Sequence, residues 1–193
     1  MNQRSWTPLE SEFLAENELV EIMPSFKGEA FHFISGTFGP FRPAKPVKVP
    51  LWLAVYLKQR NKCDVQVPNW LSIEFLKRVR TEERHKDDKG ALSAFTEVLP
   101  YHYFEVAHVL LTQCEGDFED PAQTKSILED IKEARKEKLV KELRNMDPDT
   151  PVKYLSFAGA HELNYMRPVF QAAFAAVHQM QTIKERASAQ DQQ

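Results

Sequence analysis

The stretch that decides the fold is GPFRPAKPVKVPLWLAVYLKQRNKC, residues Gly39 to Cys63. Pro40, Pro43, Pro46 and Pro50 each fix φ and remove a backbone donor, so the chain reaches Leu51 along a stiff path that no central strand could use. Then the composition switches. Leu51-Trp52-Leu53-Ala54-Val55-Tyr56-Leu57 is apolar without a break. A helix there, with Pro50 as its first residue and an end near Asn61, is greasy nearly all round. Lys58, Arg60 and Lys62 place cations at its negative C-terminus.

Upstream of this stretch the chain reads mainly as strand. Thr7-Pro8-Leu9-Glu10 is a capping box with proline at the first helical position, which predicts a short helix to about Asn17. Leu19–Met23 and Glu29–Ile34 have β composition, with Phe31 and Phe33 projecting to one face. Ser35–Phe41 carries turn chemistry at Gly36 and Gly39, and Ala44–Val49 suits only an edge or short strand.

Downstream it reads as helix. The spacing predicts helices over Ser72–His85 with Ser72 as cap, Pro100–Cys114, Ala122–Asn145 with Asp120 as cap, and Ala160–Ile183 interrupted or kinked at Arg167-Pro168. Asp87–Leu99 is looser, with a break at Lys89-Gly90, and Asp147–Pro151 stops the charged Ala122–Asn145 helix. The fold class expected is α+β, mostly α. A small β-rich domain with a short leading helix covers 1–50, a helical-bundle domain covers 51–185, and 186–193 form a disordered tail.

Hydrophobic residues at 42% and charged residues at 27% are ordinary globular values. A formal net charge of -3 excludes the broad positive field of non-specific DNA binders and leaves room only for a local patch. The one candidate is Lys77, Arg80 and Arg84, at i, i+3 and i+7 on one helix face, with Arg78 and Lys86 near them. Glu82, Glu83, Asp87 and Asp88 dilute that stripe. It is either a solvated face or a contact for phosphates or an acidic partner. Cys63 and Cys114 stand in unlike contexts, as expected of free thiols in a reducing compartment. The start lacks an apolar signal region, and no apolar run reaches the roughly 18 to 20 residues that span a bilayer. The chain is expected to be soluble and intracellular, with no membrane contact.

Catalytic motifs are wanting. His161-Glu162-Leu163-Asn164-Tyr165 begins like a zinc-protease helix, but Tyr165 stands where the second histidine belongs. His102, His108 and Cys114 fall six apart and point to different faces. Gly36 and Gly39 lack dinucleotide spacing, and no phosphate-loop or nucleophile-elbow pattern occurs. No cofactor, metal or catalytic residue is expected.

Apolar surface is the stronger signal. Leu163, Met166, Val169, Phe170, Phe174, Val177, Met180 and Ile183 cover about half the circumference of the last helix, whereas one core contact needs a stripe of only about 100°. Each greasy helix is either a central core helix or part of a permanent subunit interface, and two of them in so small a chain favour the interface. The residues expected at a subunit or interdomain contact are Leu51, Trp52, Leu53, Val55, Tyr56, Phe170, Phe174 and Val177.

Gly39-Pro40-Phe41, Pro43, Pro46-Val47, Val49-Pro50-Leu51-Trp52-Leu53-Ala54, Leu57-Lys58, Arg60, Cys63, Pro68 and Trp70 keep order and spacing over more than thirty residues. This run resembles the family of the second "partner of Sld-five" subunit of the GINS complex. Glu12-Phe13-Leu14-Ala15-Glu16, Leu19-Val20, Arg80 and Glu83-Arg84 extend the likeness. Pro100-Tyr101 and Glu162-Leu163-Asn164 fit more loosely, and Asp87–Leu99 departs most. The resemblance implies a β-rich B domain joined to a helical A domain and an obligate heterotetramer with three sister GINS subunits. It further implies association with the MCM ring and a RecJ-like partner in the CMG replicative helicase, in the nucleus on chromatin. A subunit of that kind is a scaffold without chemistry of its own. The alternative from a different class is a stand-alone nucleic-acid-binding adaptor using Lys77, Arg80 and Arg84.

Overall fold

The computed structural model describes residues 7–84, 99–144 and 158–190. Helix α1 spans Pro8–Ala15, and its capping box is formed: Glu10 N–H donates to Thr7 Oγ1, and Thr7 N–H donates to the Glu10 carboxylate. Strand β1 (Leu19–Pro24) alternates, burying Val20, Ile22 and Pro24. It is the centre of a three-stranded antiparallel sheet, with β4 (Val47–Pro50) on one side and β5 (Cys63–Gln66) on the other. The register pairs Leu19 with Pro50 and Ile22 with Val47 and also with Val65. The prolines therefore lead into an edge strand, where missing donors cost no ladder bond.

The sheet does not end at residue 50. Helix α2 (Leu51–Gln59) lies between β4 and β5 in the chain, so the strand-rich unit extends beyond the expected boundary between 1–50 and 51–185, to Gln66. A second departure is the hairpin of β2 (Phe31–Phe33) and β3 (Gly36–Phe38), because Gly36–Phe38 pairs rather than merely turning. Gly39 has φ +115°, and a Cβ there would stand 3.0 Å from both Ala30 Cα and the Phe41 ring. That crowding accounts for glycine beside a fully buried phenylalanine.

Helix α2 starts one residue later than the proline pattern predicts, with Pro50 as its extended N-cap residue. Its first amides donate out of the helix, Leu51 N–H to the Glu18 carbonyl at 2.9 Å and Trp52 N–H to the Glu16 carbonyl at 3.1 Å. Two donors that a helix start leaves over are thus satisfied by the α1–β1 connection. The helix packs on all three strands of the sheet and on helix α4 (Tyr103–Gln113), burying Leu51, Leu53, Ala54 and Leu57.

The remaining bundle comprises α3 (Ile73–Arg84), α5 (Pro121–Arg144) and α6 (Ala160–Gln190), with short 3-10 turns at Asn69–Leu71 and Glu115–Asp117. Ser72 Oγ and Asp120 Oδ1 accept the cap bonds of α3 and α5. Two expectations shift here. Arg167-Pro168 does not interrupt α6, which is one helix through an exposed Pro168. Helix α6 also continues through Gln190 rather than giving way to a tail at 186, in keeping with its good helix formers Lys184, Glu185, Arg186 and Ala187. His85, Asn145, most of the Asp87–Leu99 segment, the Asp147–Pro151 stop and residues 191–193 lie outside the described residues.

Where α3, α4, α5 and α6 meet, the core is ionic. Glu83 is fully buried, pairs with Lys138, and lies 3.5 Å from Arg135 Nε. Arg135, 1% exposed, also reaches Glu162 Oε1 at 3.5 Å, and Tyr103 Oη donates to that same oxygen. Burial first, and then the Glu162 charge, push the Tyr103 phenol well above its usual value, so it serves as a neutral donor. Removing one partner of such a group strands a charge, at a cost of about 3–5 kcal/mol. Arg135→Ala should lower the denaturant stability of the full chain by that much. Leu53→Ala, which opens a cavity at the α2 junction, should lower it by about 2–5 kcal/mol.

Candidate subunit interface

The anchor of α6 is its first turn. Glu162 Oε2 accepts from Gly159 N–H in a capping arrangement, and Ala160 N–H donates to the Tyr101 carbonyl at 2.8 Å. Ala160, Glu162 and Met166 are buried against the bundle. Beyond Met166 the situation reverses. No residue from 167 to 183 is buried. Val169 is 44% exposed, Met180 63% and Ile183 66%, while Phe170, Phe174 and Val177 are half-buried. The Phe170 and Phe174 rings stack at 6.3 Å on one ridge of the helix.

Val169, Ala173, Ala176, Met180 and Ile183 form a second ridge beside Phe170, Phe174 and Val177, at the 3- and 4-residue spacing by which helices interdigitate. Covering a few hundred Å² of such surface is worth several kcal/mol at roughly 25 cal/mol per Å². What this face can do is pack against another helix. Helix α1 adds a further uncovered face that the sequence reading missed, with Leu9 77% and Phe13 67% exposed.

The other expected contact residues divide. Leu51 and Leu53 are sealed by the chain's own sheet and α4, so they sit at the junction of the two parts and offer nothing to a partner. Trp52 and Val55 are half-buried, with Trp52 edge-on to Phe33 at 5.1 Å. Tyr56 is exposed beneath the Arg60 guanidinium, 4.3 Å from the ring centroid. The residues of the family run have structural duties. Phe41 receives Phe26 and Phe31, Trp70 packs against the core, and Pro40 is exposed between Gly39 and Phe41.

Lys58 does more than complement a helix end. Its amine binds Asp117 at 2.6 Å and Asp64 at 2.9 Å, and the other Asp117 oxygen accepts from Val65 N–H. Burial pulls its pKa down, but the hydrogen bonds to Asp117 and Asp64 outweigh this and leave it raised. Burial likewise pushes the Cys63 and Cys114 thiols up to about 11, so neither is poised as a nucleophile.

The basic stripe is largely spent inside the chain. Arg80 and Arg84 both bind Asp130 of α5, at 3.0 and 3.2 Å, and Arg78 lies over the Phe75 ring beside Glu82. Lys77 is exposed. Among the described residues no group of three or more metal-binding side chains occurs, and no helix is long and apolar enough to cross a membrane.

Comparison with known proteins agrees with this division of the chain. Residues 7–66 match the PSF2 N-terminal domain, which takes in α2 and β5, and residues 70–181 match the GINS complex protein helical bundle domain. The DNA replication complex GINS protein psf2 of Schizosaccharomyces pombe is 36% identical over 167 residues, 86% of each chain. The GINS protein PSF2 of Homo sapiens is 38% identical over 130 residues, 67% of each chain. That of Debaryomyces hansenii is 32% identical over 167 residues, 86% of this chain and 77% of its own. A chain that carries both domains in this order, at these identities, belongs to the PSF2 family of GINS complex proteins.

Proposed function

We propose that this chain is a non-catalytic scaffold, one of four subunits of a GINS heterotetramer that works in DNA replication. Through that tetramer it joins an MCM ring and a RecJ-like partner in the CMG helicase, in the nucleus. The observation that carries the reading is α6, packed against the bundle through Met166 and then without a buried residue from Arg167 to Ile183. Membership of the PSF2 family supports the identity of what covers it, since the relatives are named as proteins of a DNA replication complex. A scaffold of this type acts by making better contacts with one arrangement of its partners than with others, which requires no chemistry of its own. The β-rich unit and the helical unit serve as two docking bodies held in register by α2. The nucleic-acid adaptor reading loses ground because Asp130 occupies Arg80 and Arg84.

Phe170→Ala and Phe174→Ala should each weaken assembly with the three sister subunits by about 2 kcal/mol, roughly thirtyfold. The helical content of the chain should stay unchanged. Co-expression followed by sizing and mass measurement reads the outcome, and tetramer formed at full yield by the double variant would overturn the reading. Unwinding by a reconstituted helicase should fall in step with assembly.

A further inference from the structure

A pocket of about 240 Å³ opens between α1, α4 and α6. Its floor includes Glu105, only 6% exposed. One carboxylate oxygen of Glu105 accepts from Ser11 Oγ at 2.7 Å, while Oε2 has no hydrogen-bond partner among the described residues. A buried carboxylate with an open oxygen is costly unless something cationic completes it. Among the described residues no cationic side chain hydrogen-bonds to it. His161 lines the pocket and stacks on Phe104 at 4.3 Å, and burial first, then the charge of Lys132, hold its pKa below the usual value, so the ring is neutral at neutral pH. Lys132 and Lys136 lie over the Phe104 and Tyr165 rings and pair with Glu129 and Glu133 of their own helix.

The rest of the lining fits a cation with an apolar stem. Glu12 supplies a second carboxylate, and Phe104 and Tyr165 supply aromatic surface. Of the lining, Tyr165 is 57% exposed, and exposed apolar residues follow close by in the chain: Val169, 44% exposed, one turn after Tyr165 on α6, and Leu9, 77% exposed, next to the lining residue Pro8 on α1. A chain laid along α6 from Ile183 toward the start of the helix would reach Tyr165, which lines this pocket. We infer that the pocket is the socket for a lysine or arginine side chain of the subunit that covers α6, with the Glu105 carboxylate as its counter-ion. The inference rests on the scaffold reading and adds a specific, charge-matched contact to a face that is otherwise apolar.

The test is a competition for a limiting amount of the three co-expressed sister subunits, between tagged full-length wild type and each variant. Glu105→Gln keeps the shape of the side chain and an acceptor for Ser11 but removes the charge. Wild type should outcompete it by at least about tenfold, because a fully desolvated charge pair is lost. Ser11→Ala, which leaves the carboxylate in place, should compete within about twofold. Equal shares for wild type and Glu105→Gln would overturn the inference. So would a Ser11→Ala deficit as large as that of Glu105→Gln, which would mean that the carboxylate merely fastens α1 to α4. Failure of the wild-type chain to assemble at all would be the failure of the scaffold reading itself, seen before any variant is compared.

Discussion

Glu83, Lys138, Arg135 and Glu162 lie together in the core, two negative and two positive charges with side chains no more than 5% exposed. Taking each out of water costs several kcal/mol, so the group is tolerable only while every partner stays in place. Greasy contacts can slide by a fraction of an ångström; these cannot without stranding a charge. Because Glu83 belongs to α3, Arg135 and Lys138 to α5, and Glu162 to α6, the ionic group fixes how three helices meet. Tyr103 brings in α4 through its bond to Glu162. The direction in which α6 leaves the bundle, and hence where its uncovered face points, follows from this one constraint.

The second constraint is α2. Its amides are capped by the α1–β1 connection, its apolar sides are divided between the sheet and α4, and its last turn is tied by Lys58 to Asp117 and Asp64. Asp117 completes the link by accepting from Val65 on β5. The helix is thus bonded at its start to what precedes the sheet and at its end to the sheet's last strand and to the bundle. The prolines before it keep the approach short and rigid, which lowers the entropy lost in making the connection.

Much of this was legible in the residues. Caps at Thr7, Ser72 and Asp120 have side chains that bond the following amides in ways other residue types do not, and they placed three helix starts within a residue or two. Strand β5 was not legible, because Cys63-Asp64-Val65-Gln66 alternates over only four residues and half of them are polar. The ionic group did leave a trace. Arg135 and Lys138 follow Ile131 and Ala134 by one turn, so they stand on the apolar stripe of α5, which is where a buried charge with a distant partner would stand. Their partner Glu83 lies some fifty residues away, and no local pattern names it. Glu105 was hidden for the same reason, since its hydrogen-bond partner Ser11 lies 94 residues earlier in the chain.

The two greasy helices differ in burial, and they differ in length as well. A globular chain of this size has a radius of gyration of about 16 Å and is about 40 Å across. Helix α2, nine residues and about 13 Å, fits inside such a body with its neighbours on several sides. Helix α6 has 31 residues and extends about 46 Å, as long as the whole globule would be wide. Its start, through Met166, lies against the bundle, and the apolar residues past Met166 run on with none of them buried. Apolarity over half of a helix or more marks a segment for contact, but how much of it the chain's own elements can reach depends on the helix length measured against the body it packs in.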